Sequence, residues 1–188
     1  MLTEDFLNCF SSDSVLVNSA VPKSTILNGV ADEILEMVNS YASDAVVFLK
    51  KGDCVNAFAA AAYGYGWLDC GIYLGFLTGR ETAPIPTLEN TVSEELIEHL
   101  TEKTNRYQRM LNDAVNCVEI SPDSGSVMYT AAEKIMRTAK SHLSAGGLIM
   151  RADMVNALSI FSYGYGWLDC GVRAGLFQIK GDRHLFTI

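Results

Sequence analysis

The chain is poor in the residues that catalysis and metal binding most often draw on. Its 188 residues include 3 histidines, 2 tryptophans, 4 prolines and 5 cysteines. His99, His142 and His184 stand at no metal-ligand spacing. Cys9, Cys54, Cys70, Cys117 and Cys170 form no C-x-x-C pair, so neither a zinc site nor a dithiol motif is legible. An odd number of scattered thiols gives no disulfide framework and predicts a reduced, cytoplasmic setting. Basic residues are outnumbered, 14 against 22 acidic ones, and the net charge of −8 opposes the phosphate neutralisation that nucleic-acid binding requires. The scarcity of proline beside 49% apolar residues excludes a disordered tail and predicts a helical, core-forming chain. The opening MLTEDFLNCF carries acids where an export signal carries bases, so no such signal is read. No serine or cysteine sits in a legible triad, and no catalytic residue, metal or cofactor is expected.

What the chain has instead is a repeat. YGYGWLDCG occurs at Tyr63 to Gly71 and returns 100 residues later at Tyr163 to Gly171. Around it, Gly52 to Leu77 and Ala152 to Phe177 agree at 14 of 26 positions, among them Asp53, Val55, Asn56, Ala57 and Gly75. Upstream, Ile34, Leu35, Val38, Ala45, Phe48 and Leu49 correspond to Ile135, Met136, Ala139, Gly146, Ile149 and Met150 at an offset of 101, so the second copy is one residue shorter between Leu49 and Asp53.

Apolar residues from Ile26 to Leu49 recur at three- and four-residue steps, which predicts a helix over about Thr25 to Lys51. Gly52 reads as its left-handed cap and Asp53 as the N-cap of the next helix, making Lys51-Gly52-Asp53 a tight helical hairpin. Arg151, Ala152 and Asp153 repeat it. Thr91 and Glu94 suit a capping box, and a stripe from Leu96 through Tyr107, Leu111 and Val115 to Val118 predicts a helix to about Glu119, broken by Ser121 to Gly125. The corresponding helix of the first copy is shortened: Leu2, Phe6, Leu7 and Phe10 carry the pattern before the polar run Ser11 to Ser14. The expected fold is therefore all-α: two tandem up-and-down three-helix bundles, over residues 1–80 and 94–188, with 81–93 as linker and start of the second unit. Cys54 to Gly79, 26 residues whose only charge is Asp69, is long enough for a membrane span. Its Ala, Gly and Tyr content and the lack of basic flanks favour a buried bundle helix, and no membrane partner is expected.

On a helical wheel Ala57, Ala60, Gly64, Leu68, Gly71 and Gly75 form a small-residue side that would let a neighbouring backbone approach. Asn56, Tyr63, Trp67 and Leu74 flank it on one edge, Phe58, Tyr65, Ile72 and Phe76 on the other. The opposite side, Ala59, Ala62, Gly66, Asp69 and Tyr73, with Ser159, Ser162, Gly166, Asp169 and Arg173 in the second copy, lacks the long charged side chains of a solvent face. It reads as an interface for a helix of the other repeat or of another subunit, anchored by Asp69 and Asp169, against the plainer reading of surface aspartates with an Asp169–Arg173 pair. Tyr63, Tyr65 and Trp67, with Tyr163, Tyr165, Trp167, Asn56 and Asn156, are core aromatics and polar neighbours or, alternatively, the wall of a ligand pocket. Arg137 and His142 have the R-x-x-x-x-H spacing of helical ribonucleases, but the first copy has Glu36 and Tyr41 there, which reads as coincidence.

FLKKGDCVNAFAAAAYGYGWLDCGIYLGF and its second copy closely resemble the signature of the archaeal family known as domain of unknown function 357, over Phe48 to Phe76 and Ile149 to Phe177, with KTNRYQRML similar to the family's first helix. The resemblance implies a three-helix up-and-down bundle per copy and no activity or catalytic residue. The sequence thus predicts a non-enzymatic helical module that self-associates or binds a protein partner. Its rival is an accessory domain that holds a small ligand with the aromatic and Asp motif.

Overall fold

Each repeat turns where its helical pattern breaks. The computed structural model describes residues 1–82, 84–89 and 92–187. The first repeat contains α1 (Thr3–Leu16), α2 (Asn28–Lys50) and α3 (Cys54–Tyr73), and the second α4 (Ile97–Asn116), α5 (Val127–Ile149) and α6 (Met154–Arg173). The fold is all-α in two halves, and α1, with 14 residues, is shorter than its 20-residue counterpart α4. Among the described residues no helix is long and apolar enough to cross a membrane.

The α2–α3 and α5–α6 turns explain why one copy has Gly and the other Ala. Gly52 adopts φ +79°, donating its N–H to Leu49 while Asp53 donates to Phe48. That left-handed closure suits glycine. The second turn is one residue shorter: Ala152 and Asp153 both donate to Ile149, and no non-glycine residue among those described has positive φ. In each repeat the Asp carboxylate then accepts from the third helix, Asp53 from Asn56 N–H at 2.9 Å and Asp153 from Asn156 N–H at 3.0 Å, the N-caps that the sequence predicts.

Several boundaries differ from the pattern. Helix α2 starts at Asn28, because Thr25 closes a turn onto the Pro22 carbonyl that ends just before it, and Ile26 lies 96% exposed outside the buried stripe. The polar run Ser11 to Ser14 is helical after all, with the Ser14 hydroxyl bonded to the Ser11 carbonyl. Thr91 lies outside the described residues; Glu94 sits in a short 3₁₀ turn, and α4 begins only at Ile97. Val118 and Glu119 are strand, not helix. The described chain forms two small antiparallel ladders, β1 (Asn18–Ser19) with β2 (Leu77–Thr78) and β3 (Val118–Ile120) with β4 (Phe177–Ile179). Each ties the exit of a repeat's first helix to the segment after its third. Gly75, read as part of a helix face, and its equivalent Gly175 instead lie past the helices at φ +75° and +76° and cap them, as Phe76 N–H returns to Gly71 and Leu176 N–H to Gly171.

The short α1 leaves room that the inter-repeat segment fills. Leu88 is buried, and its N–H and carbonyl are both bound by Asn156 at 2.8 Å. The equivalent Asn56 is instead held by Lys103 and His99 from α4. Extended linker thus takes the place on the second repeat that the first turns of α4 occupy on the first. Helices α3 and α6 lie at the centre, buried on nearly every side, and one apolar core runs through both repeats.

A pair of glycine substitutions checks the backbone assignments. Gly52→Ala should destabilise by about 1–2 kcal/mol, because the Cβ meets open space and the whole cost is the left-handed backbone. Gly147→Ala, inside α5 with only the Gln108 amide at 3.6 Å, should stabilise by about 0.5–1 kcal/mol. Urea unfolding midpoints at constant slope measure both.

Candidate functional site

Helices α3 and α6 touch backbone to backbone where the motif repeats. A Cβ built on Gly66 would overlap the Tyr163 carbonyl oxygen and come 2.9 Å from Gly166 Cα; one built on Gly166 would overlap the Tyr63 carbonyl and come 3.0 Å from Gly66 Cα. The contact is reciprocal, as a pseudo-two-fold axis requires. The close backbone approach therefore occurs on the Ala62, Gly66 and Asp69 side. Gly64 and Gly71 on the other side serve a different purpose: they admit the rings and branches of Phe10, Tyr41, Ile34 and Leu77 within their own repeat.

That approach brings a second exchange within reach. The Tyr63 hydroxyl donates to Asp169, and the Tyr163 hydroxyl donates to Asp69 at 2.8 Å. Both carboxylates are buried, 1% and 0% exposed, so the surface reading of these residues is wrong. Arg173 does not pair with Asp169 but forms a two-pronged ion pair with Glu33 of the first repeat, both contacts at 2.7 Å. Tyr41 packs edge-on to Tyr63 and His142 lies on Tyr163, equivalent contacts in the two repeats.

The aspartates part company at their remaining oxygens. Asp169 is closed off by Thr187, whose N–H and hydroxyl both donate to it. Asp69 has no such cover. Among the described residues its Oδ1 makes no hydrogen bond; it lies 3.7 Å from the Arg80 guanidinium, which itself pairs with Asp13 at 2.9 Å and covers the Tyr65 ring. Tyr65 donates to Asp13, whereas Tyr165 donates to the Leu185 carbonyl. Burial pushes the Asp69 carboxyl up to about 6, with the Tyr163 hydrogen bond and Arg80 pulling it back and Asp13 adding to the rise. Burial raises Asp169 as well.

Two recesses open on this side. One of about 200 Å³ is lined by Asp13, Tyr65, Asp69, Arg80 and Tyr163. The other, about 850 Å³, runs past Tyr73, Arg80, Lys134, His142, Tyr163 and Trp167. Arg80, Pro84, Ile85 and Tyr163 line both. Trp167 packs on Tyr73 at 5.7 Å, and its indole N–H lies beside the Tyr163 hydroxyl without a hydrogen bond of proper geometry. Lys134 stands 3.9 Å over the Tyr73 ring. His142 donates from Nδ1 to the Thr138 carbonyl at 2.8 Å, and burial lowers its pKa. Trp67 is fully buried in the core.

A further polar cluster went unread in the sequence. At the start of α3, His99 lies 3.5 Å from Asp53 and 3.3 Å from Asn56, and the buried Lys103, its pKa lowered by that burial, donates to Asn56. Its members come from two repeats, so no local spacing announces them. Among the described residues no group of His, Cys, Asp and Glu is arranged to hold a metal ion.

Fold and site together define a duplicated helical protein whose two bundles are clasped through a reciprocal glycine and Tyr–Asp contact. The chain belongs to the family described as protein of unknown function (DUF357), which matches residues 13–77 and 106–177, one segment in each repeat. No curated protein and no solved structure matches it.

Gly66→Ala should cost about 3 kcal/mol or more, because the intruding methyl meets backbone that no rotamer change can move away; thermal and urea unfolding read this directly. A second expectation concerns pH. The folded Asp69 pKa lies above its unfolded value of about 3.9, so the folded state holds the proton more tightly. This contribution is complete below about pH 4 and is lost as pH rises through about 6. Relative to wild type, Asp69→Asn should gain about 2 kcal/mol in stability between about pH 4 and pH 7. Unfolding free energies of both proteins across that range measure the gain.

Proposed function

We propose that the chain is a binding module that holds a small planar ligand in the groove beside Tyr163 and Trp167. One observation carries this reading: both repeats use the same motif, yet the Asp69 side opens to a small recess that shares Arg80 and Tyr163 with the groove, while Asp169 is covered by Thr187. The groove has the size of a small-molecule site and the expected mixture of apolar wall and few polar groups. Tyr73, Trp167 and Tyr163 offer ring surfaces, Lys134 a cation, and neutral His142 its Nε2 as acceptor. The role proposed for this groove is binding without turnover.

The small-residue face, open from the sequence to a helix of the other repeat or of another subunit, receives the chain's own second repeat. A partner-docking role has a different support. Ile26 and Leu27 before α2 and Val127 and Met128 at the start of α5 are equivalent and all exposed, as are Val47 and Leu148 near the far ends of the same helices. A protein partner would meet the same apolar positions twice on one chain. Five unpaired thiols support a cytoplasmic home, the charge of −8 speaks against a nucleic-acid partner, and the family resemblance supports an archaeal source.

Ala145 lines the groove from α5, exposed and away from the core, so Ala145→Trp fills the groove with the fold intact. Thermal-shift titration against nucleobases, nucleotides and aromatic carboxylates should give a stabilising ligand for wild type, with affinity at least ~10-fold weaker in the variant. Equal binding by both proteins, or no shift with any probe, would contradict the proposal.

A further inference from the structure

Near a two-fold axis a residue meets its own equivalent. Gly66 meets Gly166 in this way, and one turn further along α3 and α6 the motif carries Cys70 and Cys170. Both thiols are fully buried and in no disulfide, and the Cys70 thiol lies near enough across the two repeats to help push the Cys170 thiol up. Each follows the aspartate that the opposite repeat's tyrosine holds, so the backbone on both sides of the pair is positioned from across the interface. The other thiols are placed differently: Cys9 is exposed on α1, while Cys54 and Cys117 are half-buried at the start of α3 and just past the end of α4.

We propose that Cys70 and Cys170 are a thiol pair that a small disulfide of the glutathione class oxidises to an inter-repeat disulfide, stapling α3 to α6. One cysteine thiolate attacks the glutathione disulfide and releases one glutathione thiolate, giving a mixed disulfide. The second cysteine thiolate attacks the protein sulfur of that mixed disulfide and releases the other. The protein loses two electrons to the glutathione disulfide, and the two protons lost by the cysteines end on the two glutathione thiols. Burial holds the Cys170 thiol far above its ordinary pKa, so its thiolate is scarce while the interface is closed and exchange proceeds when α3 and α6 part. The bond would close a loop of about 100 residues, which restricts the unfolded chain strongly.

The test treats the purified full chain with oxidised glutathione, in buffer alone and in urea just below the unfolding transition, followed by acid quench, alkylation in denaturant and peptide mapping. The expected product is a linked Cys70–Cys170 peptide pair, formed faster in urea, with Cys9, Cys54 and Cys117 alkylated or carrying glutathione. The oxidised chain should unfold at higher urea than the reduced one. Cys70→Ala should match reduced wild type and gain nothing on oxidation; if that variant does not fold, the wild-type map decides alone. Free or merely glutathionylated Cys70 and Cys170 after oxidation in urea would overturn the proposal. So would a linked pair that lowers the midpoint, because the bond would then distort the interface.

Discussion

The structure depends on one constraint, that two helix backbones meet at Gly66 and Gly166 with no side chain between them. Tyr63 and Tyr163 can reach the opposite aspartates only because α3 and α6 approach this closely. Glycine in a helix interior costs about 1 kcal/mol relative to alanine, and each motif places Gly64, Gly66 and Gly71 within about two turns. The cost is offset by what those positions admit: the opposite backbone at Gly66, and large side chains from the same repeat at Gly64 and Gly71. Substituting any of them forfeits a different contact.

The internal symmetry is broken at the chain's ends and between its halves, and the open groove lies where it breaks. The C-terminal segment folds back so that Thr187 covers Asp169 and Leu185 receives Tyr165. The segment after α3 cannot do the same for Asp69, because it must cross to the second repeat, where it supplies Leu88 to Asn156 in place of the turns that α1 lacks. Arg80 balances the charge of Asp69 from the side instead, and among the described residues one carboxylate oxygen has no hydrogen bond. Both copies of the motif help hold the repeats together, while Asp169 is sealed by Thr187 and Asp69 borders a recess.

Local features were the legible ones. The Asp53 and Asp153 caps, the Gly52 turn and the shortened first helix follow from residues within a few positions of one another. The side of α3 bearing Ala62, Gly66 and Asp69 could be recognised as a packing surface because it lacks long polar side chains. What decides the remainder is distant in sequence. Glu33 takes Arg173 away from Asp169, and Phe10, Tyr41 and Ile34 decide that Gly64 and Gly71 receive side chains. Val118 is strand because Ile179 pairs with it, and Gly75 is a cap because α3 ends at Tyr73, although its spacing continues the helical wheel. The recesses could not be foreseen from a motif that is identical in both copies, since their asymmetry comes from segments outside it.

The central claim, that the glycine crossing makes the two repeats one cooperative unit, is tested most directly by native-state hydrogen exchange of the whole chain. Amides in the middle of α3 and α6 should exchange only through global unfolding, with one common free energy that equals the value from urea unfolding. Protection of α6 persisting while α3 exchanges freely, or the reverse, would show that the repeats open independently and would contradict the account.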